Sequence, residues 1–171
     1  MRSIKIFSIL LLLCFGIVTV VEAQPAAVKK AANTTFTLTT FDSNGSILST
    51  SNGVFVSNDG IGVSTWKPFV GAMKAVVTDN DGQKYDVETM LGANELYDVA
   101  KFKVAAKTHA APFAPSVAAS STAWIVVPAK VGDPIKANIN KVEKFMTKYN
   151  YCVLSTAAPE KNNGAPLLND K

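Results

Sequence analysis

Residues that build metal sites and covalent scaffolds are scarce in this 171-residue chain, which has two cysteines and one histidine. That scarcity excludes zinc fingers, zinc ribbons, metal clusters and a disulfide framework, and no cofactor is indicated. Arginine occurs once, at Arg2. The 17 basic and 13 acidic side chains leave a net charge of +4 with no basic run, so a nucleic-acid interface is not indicated. Glycine and proline occur 10 and 8 times, too few for a collagen-like chain or a proline-rich linker. With 48% apolar and 18% charged residues, the chain is also too hydrophobic to be disordered. Its length allows one or two small domains.

The one long apolar run is Ile6 to Val21, preceded by Arg2 and Lys5 and followed by Val21-Glu22-Ala23-Gln24. A basic start, a short apolar segment and small residues before a cut site predict a signal peptide over 1–23. An uncleaved anchor is the alternative, because the run nearly reaches spanning length. Cys14 lacks the preceding small residues that lipid attachment requires. Removal of the leader leaves no membrane span, a secreted or periplasmic (cell-envelope) protein, and the single thiol Cys152, which has no intramolecular partner.

Past a loose lead-in, Gln24 to Asn33, short β-branched and aromatic runs alternate with turn signals. Phe36 to Phe41 precedes Asp42-Ser-Asn-Gly45, and Gly53 to Val56 precedes Asn58-Asp-Gly60 and Ile61 to Val63. Ala75 to Thr78 runs into Asn80-Asp-Gly82, a hairpin signal, ahead of Tyr85 to Leu91. Val99 to Val104 alternates with period two. No segment keeps a helical period for three turns; Phe69 to Lys74 is the best candidate for a single one. Ala105 to Ala123, rich in Ala, Ser, Thr and Pro, is expected to connect two β-units. Beyond it lie Trp124 to Val127, Ile139 to Phe145 and Tyr149 to Leu154. The expected organisation is a 1–23 leader, a 24–104 β-barrel with its lead-in, a 105–123 linker and an incomplete 124–171 barrel. An all-β sandwich or barrel architecture follows.

Three segments together resemble the trypsin-like serine endopeptidases, specifically the bacterial high-temperature-requirement type. Gly53-Val-Phe-Val-Ser-Asn-Asp-Gly60 leading to Val63-Ser-Thr-Trp-Lys-Pro-Phe-Val-Gly-Ala72 is similar to the strand, turn and strand that carry the general base. Asp98-Val-Ala-Lys-Phe-Lys-Val104 is similar to the strand that carries the acid. Asn163-Gly-Ala-Pro-Leu-Leu168 is similar to the Ser-Gly-Gly-Pro-Leu nucleophile segment. The resemblance implies two antiparallel β-barrels with a site between them, the second cut short at the C-terminus. It also implies that Lys67, Asp98 and Asn163 occupy the base, acid and nucleophile positions.

Those positions depart from the chemistry. The Ser-His-acid device needs a hydroxyl, an imidazole to take its proton and a carboxylate to orient the imidazole. A carboxamide at Asn163 is no nucleophile, and an ammonium at Lys67 has no free electron pair. Lys161 and Ala165 replace glycines of the nucleophile loop, which weakens an oxyanion hole built on glycine-permissive backbone. An ion pair between Lys67 and Asp98 is therefore expected, within an inactive peptidase-fold module that binds a peptide or protein. An active serine endopeptidase using another serine, such as Ser64 or Ser155, is the alternative; an unrelated β-sandwich adhesin is a further one. Ser64-Thr-Trp-Lys67 also fits Ser-x-x-Lys, but it leaves a strand and meets Pro68 at once, whereas penicillin-binding enzymes open a helix there. Trp66 and Phe69 read as core filler or groove lining, His109 as a solvated linker residue and Cys152 as a buried small hydrophobe.

Overall fold

A computed structural model describes residues 24–145 and 149–169; the leader falls outside them. The first unit is a closed six-stranded antiparallel barrel in the order β1-β2-β3-β6-β5-β4. Its strands are β1 (Thr35–Phe41), β2 (Ile47–Phe55), β3 (Ile61–Ser64), β4 (Lys74–Asp79), β5 (Lys84–Asn94) and β6 (Val99–Val104). The second is a four-stranded half-barrel, β10-β7-β8-β9. It contains β7 (Thr122–Ile125), β8 (Ile135–Phe145), β9 (Tyr149–Leu154) and the two-residue β10 (Leu167–Leu168). The closed barrel rules out the single-sandwich reading.

Alternation along the strands builds the first core. Phe36, Leu38, Phe55, Ala75, Val77, Phe102 and Val104 point inward and are buried. Phe36 lies against Phe55 and Phe102 with ring centroids 4.7 and 5.7 Å away. Gly53 makes room for that ring, since a Cβ there would fall 2.4 Å from Phe36 ring atoms and 2.5 Å from the Val63 carbonyl oxygen. The turn chemistry matches its residues. Asp42 Oδ1 accepts the N–H groups of Asn44 and Ser46, and Asp79 Oδ1 accepts that of Gln83 in the β4–β5 hairpin.

Two expectations are corrected. The lead-in is not loose: α1 (Ala26–Ala31) and a 3-10 turn (Ala32–Thr34) occupy it. Their apolar side packs on the second unit, with Val28 and Ala32 buried against Trp124 and Val126 and with Leu168 alongside, while Asn33 Oδ1 accepts Asn80 Nδ2 from the β4–β5 turn at 3.1 Å. Apolar burial of one side chain holds a helix too short to persist alone. The single turn expected at 69–74 instead spans Lys67–Phe69, because Pro68, its second residue, is tolerated in the first turn of a helix, where its missing N–H has no internal acceptor to lose.

At the β2–β3 turn, Asp59 pairs with Lys103 at 2.6 Å and accepts the Ser57 hydroxyl. Lys103 and Ser57 together hold the Asp59 carboxyl down to about 2. A depressed folded-state value stabilises above the unfolded range near pH 4, and that stabilisation is lost as pH falls toward 2. A carboxyl-detected NMR titration is expected to place the Asp59 midpoint near 2 and, in Lys103→Met, to move it up toward the ordinary carboxylate range, with the Ser57 hydroxyl still holding it down in part. An unmoved midpoint would show that the pair does not form in solution.

Candidate functional site

Asp98 opens β6 after a turn closed by its N–H on the Glu95 carbonyl at 3.2 Å. It holds a left-handed φ of 50°, a conformation aspartate tolerates better than most residues. That backbone aims the carboxylate back at the Lys67–Phe69 turn, where Oδ1 accepts the N–H groups of Trp66 at 3.0 Å and Lys67 at 2.8 Å. The first N–H groups of a helical turn lack internal acceptors, and a carboxylate is the strongest available partner for them.

Lys67 and Asp98 are thus in contact, but through the lysine backbone. The expected ion pair is not formed: no salt bridge joins the two side chains within 4.0 Å, and Lys67 is exposed. Asp98 already serves two backbone donors, and an ammonium in water gains little from a surface pair. Phe69 tilts against Phe102 of the barrel core at 5.6 Å, and Trp66 stacks on Phe69 at 6.2 Å. The core-filler reading therefore holds for Phe69.

Asn163 follows a 3-10 turn, Glu160–Asn162. Its own N–H donates to the Glu160 carbonyl and that of Asn162 to the Pro159 carbonyl, each at 2.9 Å. Both donors are consumed inside the turn and neither is free for a ligand. The Asn163 carbonyl accepts the Asn52 N–H at 2.8 Å and Asn52 Nδ2 at 3.1 Å. The same Nδ2 donates to the Lys161 carbonyl at 2.8 Å. Asn52 is 2% exposed and belongs to β2, so one buried amide staples this loop to the first barrel. Gly164 completes the joint at φ +78°, where a Cβ would stand 2.2 Å from the Asn52 carbonyl oxygen.

Asn52 is the residue that reading along the chain missed. Its position before Gly53 reads as a turn, and its partners lie more than 100 residues away. Ser64 links the two regions. Its Oγ donates to the Asn52 carbonyl at 2.6 Å and lies 3.1 Å from Ser51 Oγ. Ser64 is buried at 5% exposure, and both contacts are to oxygens, so it has no base. Ser155 Oγ accepts the Asn138 N–H at 2.9 Å on the far sheet. Beside Asn163, Asn162 is 4% exposed with neither side-chain amide atom hydrogen-bonded.

Lys161 Nζ reaches the Val131 carbonyl at 3.3 Å across Gly132, where a Cβ would be 3.2 Å from it. His109 is exposed and lines a groove of about 430 Å³ with Lys30, Asn58, Pro112 and Leu168, away from these bonds. Cys152 is a free thiol of intermediate exposure on β9, less buried than expected; desolvation pushes its pKa up. Among the described residues no group of three or more His, Cys, Asp or Glu side chains could hold a metal, and no helix is long and apolar enough to cross a membrane.

No family model matches this sequence, and no curated protein matches it either. Among solved structures, an HtrA-type protease, a variant of AlgW with a tripeptide, superposes with a TM-score of 0.72 at 19% identity. The match covers 84% of this chain and 50% of that one, so this chain spans about half the length of that protein. Closed barrel, half-barrel and superposition together show that the chain has the trypsin-like fold.

Proposed function

We propose that this chain is an envelope-located or secreted peptidase-fold domain that has lost catalysis and serves as a binding module for a peptide or protein. Lys67, Asp98 and Asn163 stand at its base, acid and nucleophile positions. The observation that carries the reading is the state of Asn163. Its side chain is a carboxamide, its N–H is donated to Glu160 and its carbonyl is held by Asn52. Serine-peptidase chemistry needs a hydroxyl at that point and a backbone N–H aimed outward at the developing oxyanion. Both requirements fail in one residue. Loss of a single triad member or of an oxyanion donor costs about 10²- to 10⁶-fold.

A fluorophosphonate probe tests this directly. The purified chain is expected to stay unlabelled and to leave casein intact. The Lys67→His/Asn163→Ser variant is expected to remain unlabelled as well, because the closed 160–163 turn still consumes the donor. Stoichiometric labelling of the unaltered chain would establish the alternative, an active serine endopeptidase.

A further inference from the structure

Asparagine stands before glycine at Asn44, Asn52 and Asn163. In such pairs the side-chain carboxamide and the main chain can react with each other, and the fold treats each pair differently. Asn52 is buried and its Nδ2 is committed to the carbonyls of Lys161 and Asn163. Asn44 sits in an exposed turn, and among the described residues no backbone donor reaches its carbonyl. Asn163 differs from both. Its side chain is exposed, while its carbonyl oxygen takes the Asn52 N–H at 2.8 Å and Asn52 Nδ2 at 3.1 Å. Paired donors fixed on one carbonyl oxygen, one of them from a buried side chain, stabilise negative charge developing on an acyl oxygen. Here they are aimed at the chain's own backbone.

The backbone torsions select the reaction. Asn163 has φ −54° and ψ 134°. That ψ lifts Cβ steeply out of the 163–164 peptide plane, over one face of the carbonyl carbon, so a side-chain rotation brings Nδ2 above that carbon. The competing reaction of an Asn–Gly pair is attack of the glycine N–H on Cγ with loss of ammonia. It needs Cβ close to the peptide plane on the nitrogen side, and this backbone withholds that geometry.

We propose that the chain cuts its own 163–164 peptide bond by closing Asn163 into a C-terminal imide, with Asn52 stabilising the oxyanion. Nδ2 attacks the Asn163 carbonyl carbon and forms a new C–N bond, and negative charge gathers on the oxygen held by Asn52. The C–N bond to Gly164 then breaks. The proton given up by Nδ2 passes through solvent to the departing Gly164 nitrogen. Nothing is oxidised and no co-reactant is consumed. A carboxamide is too weak to attack a separate substrate, but ring closure within one residue gains an effective molarity of about 10⁵–10⁸ M. The reaction acts on this chain alone and does not rest on the binding-module reading, which fluorophosphonate labelling decides separately.

The purified chain is incubated at neutral pH and sampled over days by denaturing mass spectrometry, because Leu167 and Leu168 pair with β7 and hold the pieces together in the folded state. Expected is a piece beginning at Gly164 and a partner ending at Asn163, whose masses in early samples sum to that of the intact chain with no added water. Asn163→Ala and Asn163→Gln, at an exposed position, are expected to stay whole with unchanged far-ultraviolet circular dichroism. The first lacks the nitrogen and the second must close a larger ring. Asn52→Ala, and the unaltered chain unfolded in urea, are expected to cut at least about 10²-fold more slowly, since each loses oxyanion donors. A chain that stays whole overturns the proposal. So does an early new terminus that has taken up water, cleavage that persists in Asn163→Ala, an undiminished rate in Asn52→Ala or in urea, or conversion of Asn163 to aspartate in place of cleavage.

Discussion

Phe36→Ala is expected to lower the unfolding free energy by about 3–5 kcal/mol, the usual cost of emptying a buried aromatic site. Phe36 is fully buried, with Phe55 and Phe102 against its faces and Gly53 held bare beneath it. The cavity cannot close by a small shift, because the ring is enclosed by strands of a barrel hydrogen-bonded all the way round. Such a loss is a large share of a typical domain stability of about 5–15 kcal/mol. Urea unfolding followed by tryptophan fluorescence measures it. Met73→Ala, at a side chain 75% exposed, is the control and is expected to move stability by no more than about 0.5 kcal/mol. Equal midpoints for the two variants would mean that the barrel core is not organised around Phe36.

Gly164→Ala is expected to cost about 4 kcal/mol and to detach the 160–164 loop from the first barrel. Two penalties combine. A left-handed φ of +78° strains any residue with a Cβ by about 1–3 kcal/mol. The added methyl must also enter space 2.2 Å from the Asn52 carbonyl oxygen, a backbone atom that cannot rotate away, and overpacking of that kind costs about 1–3 kcal/mol. The loop can escape only by giving up the bonds from Asn52 to Asn163 and Lys161. Gly45→Ala isolates the first penalty, because Gly45 has φ +77° but nothing within 4 Å of a Cβ. The difference between the two variants reads the contact with Asn52. If they lose equal stability, the loop is not seated on β2 as described.

Asn52 also ties the loop that carries Asn163 to the first barrel. Its buried amide serves the carbonyls of Asn163 and Lys161 from another unit of the fold, while the Asn163 N–H closes the turn on itself. Substituting the side chains of Lys67 and Asn163 would leave these backbone bonds untouched. The loop is thus tied at both its donor and its acceptor.

Strands and turns were legible along the chain because they depend on neighbours. Alternation at Val99 to Val104 and Asn80-Asp-Gly82 before Tyr85 specify period and turn within a few residues. The first half of β2, Ile47 to Asn52, was not legible. It is rich in serine and threonine, and only its register against β1 makes it a strand. The helix at Ala26–Ala31 was missed for a similar reason: a single apolar residue, Val28, anchors it, and its partner Trp124 is remote in sequence.

That Lys67 carries an ammonium and Asn163 a carboxamide was determined by the sequence alone, since side-chain chemistry needs no fold to declare it. How those positions are held was decided only by tertiary structure. Asp98 bonds the Lys67 backbone instead of its ammonium, and a buried asparagine from the first barrel claims the carbonyls of the 161–163 loop. Backbone donors and acceptors are identical at every residue. Which of them meet is therefore set by the packing of distant strands and leaves no mark in the letters themselves.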